Sequence, residues 1–131
     1  MKYLVDSDYV ADFLKGRPTA TDLLNILFED GIAISIISFA EVYEGIYYGH
    51  NRTHYTGIFQ RFLQGVSVLG ITRFIAKQYA FMRGDLGRKG QLIDQPDLFI
   101  AATATHHKLT LVTRNVKDYE RIPHLNIYKA S

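Results

Sequence analysis

The sequence predicts an α/β fold in which helices cover both faces of a central, mostly parallel sheet of five strands. Short apolar runs alternate with helical segments along all 131 residues. These runs are bounded by turn residues, which suits strands that are buried on both faces. Hydrophobic residues make up 47% of the chain and charged residues 21%, as in an average soluble globular protein. We therefore expect a single domain over residues 1–131, built around one core.

The first quarter of the chain predicts one strand and two helices. Residues 2–6 form a short apolar run that ends in an acid, which is typical of a buried strand. Residues 8–15 carry apolar side chains at helical spacing, and Gly16 ends this helix. Pro18 suits the first turn of a second helix, which ends near Gly31.

The second strand and the two helices after it follow from an isoleucine-rich run. Residues 32–37 form that run and predict a strand buried in a parallel sheet. Ser38 and Glu41 match the capping-box spacing, so we expect a helix from Ser38 to about Tyr48. A further helix is predicted over residues 52–63.

The second half of the chain continues the alternation of strands and helices. A third strand is predicted at residues 67–71, followed by a long helix at 73–88. Residues 94–97 then open a helix that covers residues 98–107. The last elements are a fourth strand at residues 109–113, a helical turn at 115–121 and a fifth strand at 125–128.

Acidic and amide side chains gather at one edge of this predicted sheet. Parallel α/β sheets bind ligands beyond the carboxyl ends of their strands. Strand ends or helix starts near that edge carry five candidate site residues, which are Asp6, Glu41, Asp97, Asn115 and Asp118. Each residue alone is explained by capping of a helix N-terminus. Several converging carboxylates, however, would repel one another unless a divalent cation neutralised them. Oxygen ligands in a chain without cysteine favour Mg²⁺ or Mn²⁺ over zinc.

Four segments of the chain also resemble a known family. Residues 4–8, 38–45, 97–104 and 112–119 are similar to the successive acidic motifs of VapC-type PIN domains. They occur in the family's order over almost the whole chain. The resemblance implies a PIN-like three-layer fold.

The same resemblance implies roles for particular residues. Asp6, Asp97 and Glu41 would hold the metal, with Asp6 and Asp97 in the most direct contact. Asn115 stands where many relatives carry aspartate, so Asp118 is an alternative fourth acid. Ser7 falls at a hydroxyl position of the family, and Asp8 replaces the more common asparagine.

The implied function is a Mg²⁺-dependent endoribonuclease that cleaves single-stranded RNA and is the toxin of a toxin-antitoxin pair. A homodimer, a VapB-like antitoxin and an RNA substrate would be its partners, and Phe13, Tyr47 and Tyr48 are candidate antitoxin contacts. An acidic site needs basic residues around it to hold a polyanion. Seven candidates for this basic rim are Lys15, Arg17, Arg52, Arg88, Lys89, Arg114 and Lys117.

Two other functions are compatible with parts of the sequence. The Asp6-x-Asp8 pair after a strand resembles the first motif of haloacid-dehalogenase-like phosphatases. A catalytically inactive PIN-like module that binds RNA or protein is a second alternative, because Asn115 replaces an acid. A receiver-like module would need an acceptor aspartate after its third strand, and residues 68–72 supply none.

The start of the sequence predicts a cytoplasmic protein. An acid follows only three apolar residues, so a secretory signal is not expected. No apolar run approaches the length of about 20 residues that spans a bilayer, and no membrane association is expected.

Overall fold

The computed structural model describes residues 1–129. Four parallel strands form one sheet in the order β3-β2-β1-β4. They are β1 (Tyr3–Val5), β2 (Ile32–Ser35), β3 (Val66–Leu69) and β4 (Thr110–Val112). The predicted α/β class is confirmed, since all strand pairs in this sheet are parallel and helices connect the strands.

Seven α-helices accompany the sheet in the described part of the chain. Four of them precede β3, namely α1 (Ser7–Leu14), α2 (Pro18–Leu27), α3 (Ile36–Tyr48) and α4 (Arg52–Leu63). The other three are α5 (Arg73–Arg88), α6 (Gln95–His107) and α7 (Val116–Tyr119). None of the helices within residues 1–129 has the length and apolar character needed to cross a bilayer.

Alternating side chains of the strands divide the core into two clusters. Tyr3 and Val5 pack with residues of α1 to α4, whereas Leu4 packs with residues of α5 and α6. Neighbouring residues of a strand point to opposite faces, so each cluster lies on one face of the sheet. The three-layer arrangement predicted from the sequence is therefore present.

The predicted fifth strand is not formed. Residues 125–128 contribute one isolated parallel bridge, between Ile127 and Leu111 of β4. Leu111 donates to the Asn126 carbonyl and accepts from the Tyr128 amide, both at 2.8 Å. The other two residues of β4 form backbone hydrogen bonds on the β1 side instead: the Thr110 amide donates to the Lys2 carbonyl, and the Val112 carbonyl accepts from the Asp6 amide. A three-residue β4 thus offers one residue on its outer edge, which limits the pairing to a single bridge.

The predicted start of α3 is also wrong. Ser35 is the N-cap, and its hydroxyl accepts a hydrogen bond from the Ile37 amide at 3.0 Å. Ser38 lies inside the helix, completely buried. The expected capping box of Ser38 with Glu41 is therefore absent, and Glu41 lies in the second turn of α3. Two serines three residues apart in an apolar run both fit a cap, and the sequence pattern does not separate them.

The strand order places a crevice beside β1. Connections from β1 to β2 and β3 run to one side of the sheet, whereas β4 lies on the other side of β1. This reversal between β1 and β4 is the kind of switch point at which open parallel sheets bind ligands. The residues that directly follow β1 and β4 are therefore neighbours at the carboxyl edge.

Candidate active site

Asp6 follows β1 and is the buried centre of the site. It is the N-cap of α1, and its carboxylate accepts hydrogen bonds from the Ser7 amide at 2.8 Å and the Thr113 hydroxyl at 2.7 Å. Burial, followed by the charge of Asp8, raises the pKa of Asp6 from 3.8 to about 6, although the two hydrogen bonds partly oppose this rise. Asp6 is therefore a carboxylate whose charge is poorly stabilised by the protein alone.

Glu41 reaches the same region from α3. Its Oε1 accepts a hydrogen bond from the Ser7 hydroxyl at 3.1 Å, which links α3 to the start of α1. Partial desolvation raises the pKa of Glu41, as do the charges of Asp97 and Asp8, whereas the Ser7 hydrogen bond lowers it. Because Glu41 caps no helix, the capping explanation for this acid fails, and its side chain is free to serve the site.

Asp97 lies in the first turn of α6. Its Oδ2 accepts a hydrogen bond from the Asn115 side-chain amide at 3.3 Å. Desolvation raises the pKa of Asp97, the approach of the Tyr119 phenol lowers it, and neighbouring acids, Asp8 and Asp118 among them, raise it further. The Tyr119 hydroxyl is buried and makes no well-directed hydrogen bond within residues 1–129. Asp97 therefore shares its environment with the other acids.

Asn115 and Asp118 approach Asp97 in different ways. Asn115 occupies the N-cap position of α7, but its side chain makes no capping hydrogen bond and donates to Asp97 instead. Asp118 lies 3.6 Å from the Arg121 guanidinium. The structure thus brings Asn115 into contact with an acid of the site, while Asp118 contributes its charge from beside Arg121.

Three consecutive residues after β4 each donate to a different acid. We call residues 113–115 the β4 loop. The donors and acceptors are Thr113 Oγ1 with Asp6 Oδ2 at 2.7 Å, Arg114 N with Asp8 Oδ2 at 2.9 Å, and Asn115 Nδ2 with Asp97 Oδ2 at 3.3 Å. The β4 loop therefore positions the side chains that border the crevice.

Asp8 is a member of the cluster that the sequence interpretation left out of the site. Its Oδ1 accepts a hydrogen bond from the Tyr9 amide at 2.6 Å. Its charge contributes to the raised pKa of Asp6, Glu41 and Asp97. The Asp6-x-Asp8 spacing at the start of a helix was the available signal, and an acid in a first helical turn is easily assigned to the helix dipole.

The donor chemistry of this cluster fits a divalent metal ion, although the ligands are not preassembled. In residues 1–129, no three carboxylates or imidazoles already stand close enough together to hold a metal ion. Burial, with a further contribution from like charges, nevertheless raises the pKa of Asp6, Glu41 and Asp97. A hard cation with oxygen ligands, such as Mg²⁺, would relieve this repulsion.

A groove runs from the acidic cluster between α1 and α3. It has a volume of about 570 Å³ and begins at Ser7, Asp8 and Glu41. Further along, apolar residues line it, including Leu14 and Ile46. Lys15, His50 and Asn51 also line the groove, so an apolar stretch lies between the acids and a second set of polar residues.

The aromatic residues expected at a partner surface separate into two groups. Tyr47 is 56% exposed and Tyr48 is 88% exposed. Phe13 instead packs against Phe28 and Phe62, with ring centroids 6.1 and 5.2 Å away. The two tyrosines are thus available for contact, whereas Phe13 is partly buried and packs against the core.

Comparisons with known proteins agree with this architecture. The family model for the PIN domain matches residues 3–125. Ribonuclease VapC1 of Methanocaldococcus jannaschii is 31% identical over 121 residues, which cover 92% of this chain and 81% of that protein.

Two solved structures show the same fold. VapBC2 from Rickettsia felis, bound to a DNA fragment from its promoter, superposes with a TM-score of 0.90 at 27% identity and covers all of both chains. A toxin-antitoxin complex from Klebsiella pneumoniae superposes with a TM-score of 0.75 at 28% identity, over 98% of this chain and 100% of that chain.

The haloacid-dehalogenase alternative is therefore wrong, because the motifs that suggested it lie in a different fold. Family match, shared architecture and the order of the acidic motifs lead to one assignment. The chain belongs to the PIN domain family and resembles its VapC-type members.

Proposed function

We propose that this chain is a Mg²⁺-dependent endoribonuclease that hydrolyses single-stranded RNA as the toxin of a toxin-antitoxin pair. The observation that carries the proposal is that Asp97 acts electrostatically on both Asp6 and Glu41 near the crevice between β1 and β4. Each of these acids has a pKa raised by burial and by neighbouring negative charge. The ribonuclease names of the relatives and the toxin-antitoxin complexes among the solved structures support it.

In this proposal Asp6, Asp97 and Glu41 hold the metal. A bound Mg²⁺, or Mn²⁺ in its place, would stabilise negative charge on the scissile phosphate and make water a better nucleophile. Glu41, fixed by the Ser7 hydroxyl, orients the attacking water and accepts its proton. The water oxygen bonds to phosphorus, the bond from phosphorus to the 3′ oxygen breaks, and this oxygen takes up a proton from solvent as it leaves.

The β4 loop keeps the acids in position while this chemistry proceeds. The Thr113 hydroxyl holds Asp6, and the Asn115 amide holds Asp97. Both contacts leave the remaining carboxylate lone pairs free for a cation. Asn115 acts here as a donor rather than as a metal ligand, and Asp118 acts through its charge.

A VapB-like antitoxin is the proposed regulator. The groove between α1 and α3 joins the acidic cluster to an apolar stretch that ends at Lys15 and His50. A segment with a basic end for the acids and apolar side chains for the middle of the groove therefore fits it. Tyr47 and Tyr48 stand exposed on α3, where aromatic side chains commonly anchor a partner. We further propose that the protein acts in the cytoplasm as a homodimer.

A catalytically inactive RNA-binding or protein-binding module is the second candidate. Asn115 in place of an acid favours it, since one negative charge is missing from the cluster. The two candidates differ in turnover, because an inactive module binds RNA without cleaving it.

The experiment that separates them is cleavage of a labelled single-stranded RNA and of its duplex by the purified chain. We expect cleavage of the single strand that requires Mg²⁺, stops with EDTA and is much slower on the duplex. Binding without cleavage across Mg²⁺ and Mn²⁺ concentrations would support the inactive module. Light scattering reports the dimer, and growth arrest on expression, relieved by the cognate antitoxin, reports the toxin.

A further inference from the structure

A buried acid outside the acidic cluster holds two arginine side chains. Asp12 lies on α1 and its side chain is 8% exposed. Its Oδ1 contacts the Arg17 guanidinium at 3.0 Å, and its Oδ2 contacts the Arg114 guanidinium. Two positive charges thus share one negative charge, which leaves an excess of one positive charge at this place.

Arg114 is connected to the candidate active site on both sides. Its backbone amide donates to Asp8, and its side chain extends to Asp12, which lies four residues further along α1. Residues four apart lie on the same face of a helix, about 6 Å apart along its axis. The guanidinium of Arg114 therefore lies roughly one helical turn from the acidic cluster.

The same guanidinium is held in place but remains accessible. It lies over the Tyr9 ring, 4.9 Å from the ring centroid, in addition to its contact with Asp12. The side chains of Arg114 and Arg17 are 42% and 59% exposed. A guanidinium has five N–H donors, so each arginine keeps donors that face solvent. A side chain that is already ordered loses little further freedom when it binds a phosphate.

We propose that Arg17 and Arg114, held by Asp12, form a subsite that binds a backbone phosphate of the RNA next to the scissile one. The subsite rests on the proposed function for its substrate, and it assigns to two residues the task of holding the polyanion against the repulsion of the acids. Arginine suits this task because its planar fork matches the oxygens of a phosphate.

The test is the salt dependence of RNA binding without cleavage. The Asp97→Asn variant serves as the non-cleaving background, and fluorescence anisotropy in EDTA follows a labelled single-stranded RNA of about 12 nucleotides. Each phosphate contact adds about 0.7 to the slope of log affinity against log salt. We expect Arg114→Gln to lower this slope by about 0.7, which weakens binding about fivefold at 0.1 M salt.

Two further variants control for folding and for loss of charge alone. Arg17→Gln leaves the contact between Arg114 and Asp12 in place, and we expect it to lower the slope by a similar amount. Arg61→Gln removes an exposed arginine in the last turn of α4. This helix leads into the start of β3, which is the edge strand on the far side of the sheet from β4. We expect Arg61→Gln to leave the slope unchanged.

Unchanged slopes in both the Arg17 and Arg114 variants would overturn the subsite, as would a background variant that binds no RNA. Cleavage assays on the parent report separately on the proposed function. The parent could fail to cleave RNA while the arginine variants still show the expected loss of slope. The subsite would then be confirmed and the proposed nuclease function refuted, and the protein would be a module that binds RNA without cleaving it.

Discussion

Replacement of Asp6 by asparagine should make the metal-free protein more stable at neutral pH. Burial and the Asp8 charge raise the pKa of Asp6 from 3.8 to about 6. Each pH unit of this rise corresponds to about 1.4 kcal/mol, so ionisation of Asp6 costs the folded state about 3 kcal/mol. The folded state binds this proton more tightly than the unfolded chain does. Protonation of Asp6 therefore stabilises the folded state fully below about pH 4, and this stabilisation is lost as the pH rises through 6.

Asp6→Asn removes the charge while keeping an oxygen that accepts the Ser7 hydrogen bond. At pH 7.5 in EDTA we expect the variant to be about 2 to 3 kcal/mol more stable than the parent, since the amide replaces the carboxylate less than perfectly. For a domain of this size the melting temperature should rise by about 4 to 12 °C. The advantage should shrink towards pH 4.5, where the parent carboxyl is protonated.

The assay is a set of paired thermal melts at both pH values, with EDTA and with saturating Mg²⁺. A cation at one hundred times its dissociation constant stabilises the parent by about 2.7 kcal/mol, and the variant should lose most of this gain. Asp22→Asn, which changes an acid on α2, serves as the control and should stay within about 0.5 kcal/mol of the parent. A variant that melts below the parent in EDTA at pH 7.5 would refute the reasoning, because Asp6 would then be a favourable helix cap.

Three further predictions concern the β4 loop and the reaction products. Thr113→Val removes the donor to the buried Asp6 carboxylate, so denaturant unfolding should show a loss of about 1 to 3 kcal/mol, and an unchanged midpoint would contradict the role of this contact. Asn115→Asp places a second charge beside Asp97, so calorimetry should show tighter Mg²⁺ binding while the metal-free melting temperature falls; opposite signs would exclude Asn115 from the site. Hydrolysis by water should leave 5′-phosphate and 3′-hydroxyl ends, whereas 2′,3′-cyclic phosphate ends in a mass spectrum would mean that the RNA 2′-hydroxyl is the nucleophile.

The alternation of strands and helices could be predicted because each element carries its own apolar pattern. The start of α3 could not, since Ser35 and Ser38 both fit a cap within one apolar run. The predicted fifth strand failed because its pairing depends on β4, whose three residues expose one bonding position at the outer edge.

The sequence predicted that the candidate site lies at the carboxyl edge of the sheet, but it did not predict which side chains contact one another there. Asp6 lies directly after a strand, so its place at the carboxyl edge followed from topology. The part played by Asp8 depends on the β4 loop, which approaches it from 106 residues away in the chain. No local pattern records a contact of that range. The contact of Asp12 with Arg114 is hidden for the same reason, whereas its contact with Arg17 is local.

The rate of Mg²⁺-dependent RNA cleavage in parent and Asp6→Asn tests the central claim most directly, since that claim assigns metal-dependent hydrolysis to the acids at the crevice. Both proteins should be folded, and the variant should melt higher in EDTA. We expect the parent to cleave single-stranded RNA only with Mg²⁺ or Mn²⁺. The variant should lose at least about a hundredfold in rate, because loss of a residue that only supports a metal ligand already costs about 10- to 100-fold. Equal rates in the two proteins, or cleavage by the parent in EDTA, would contradict a metal-dependent site at Asp6.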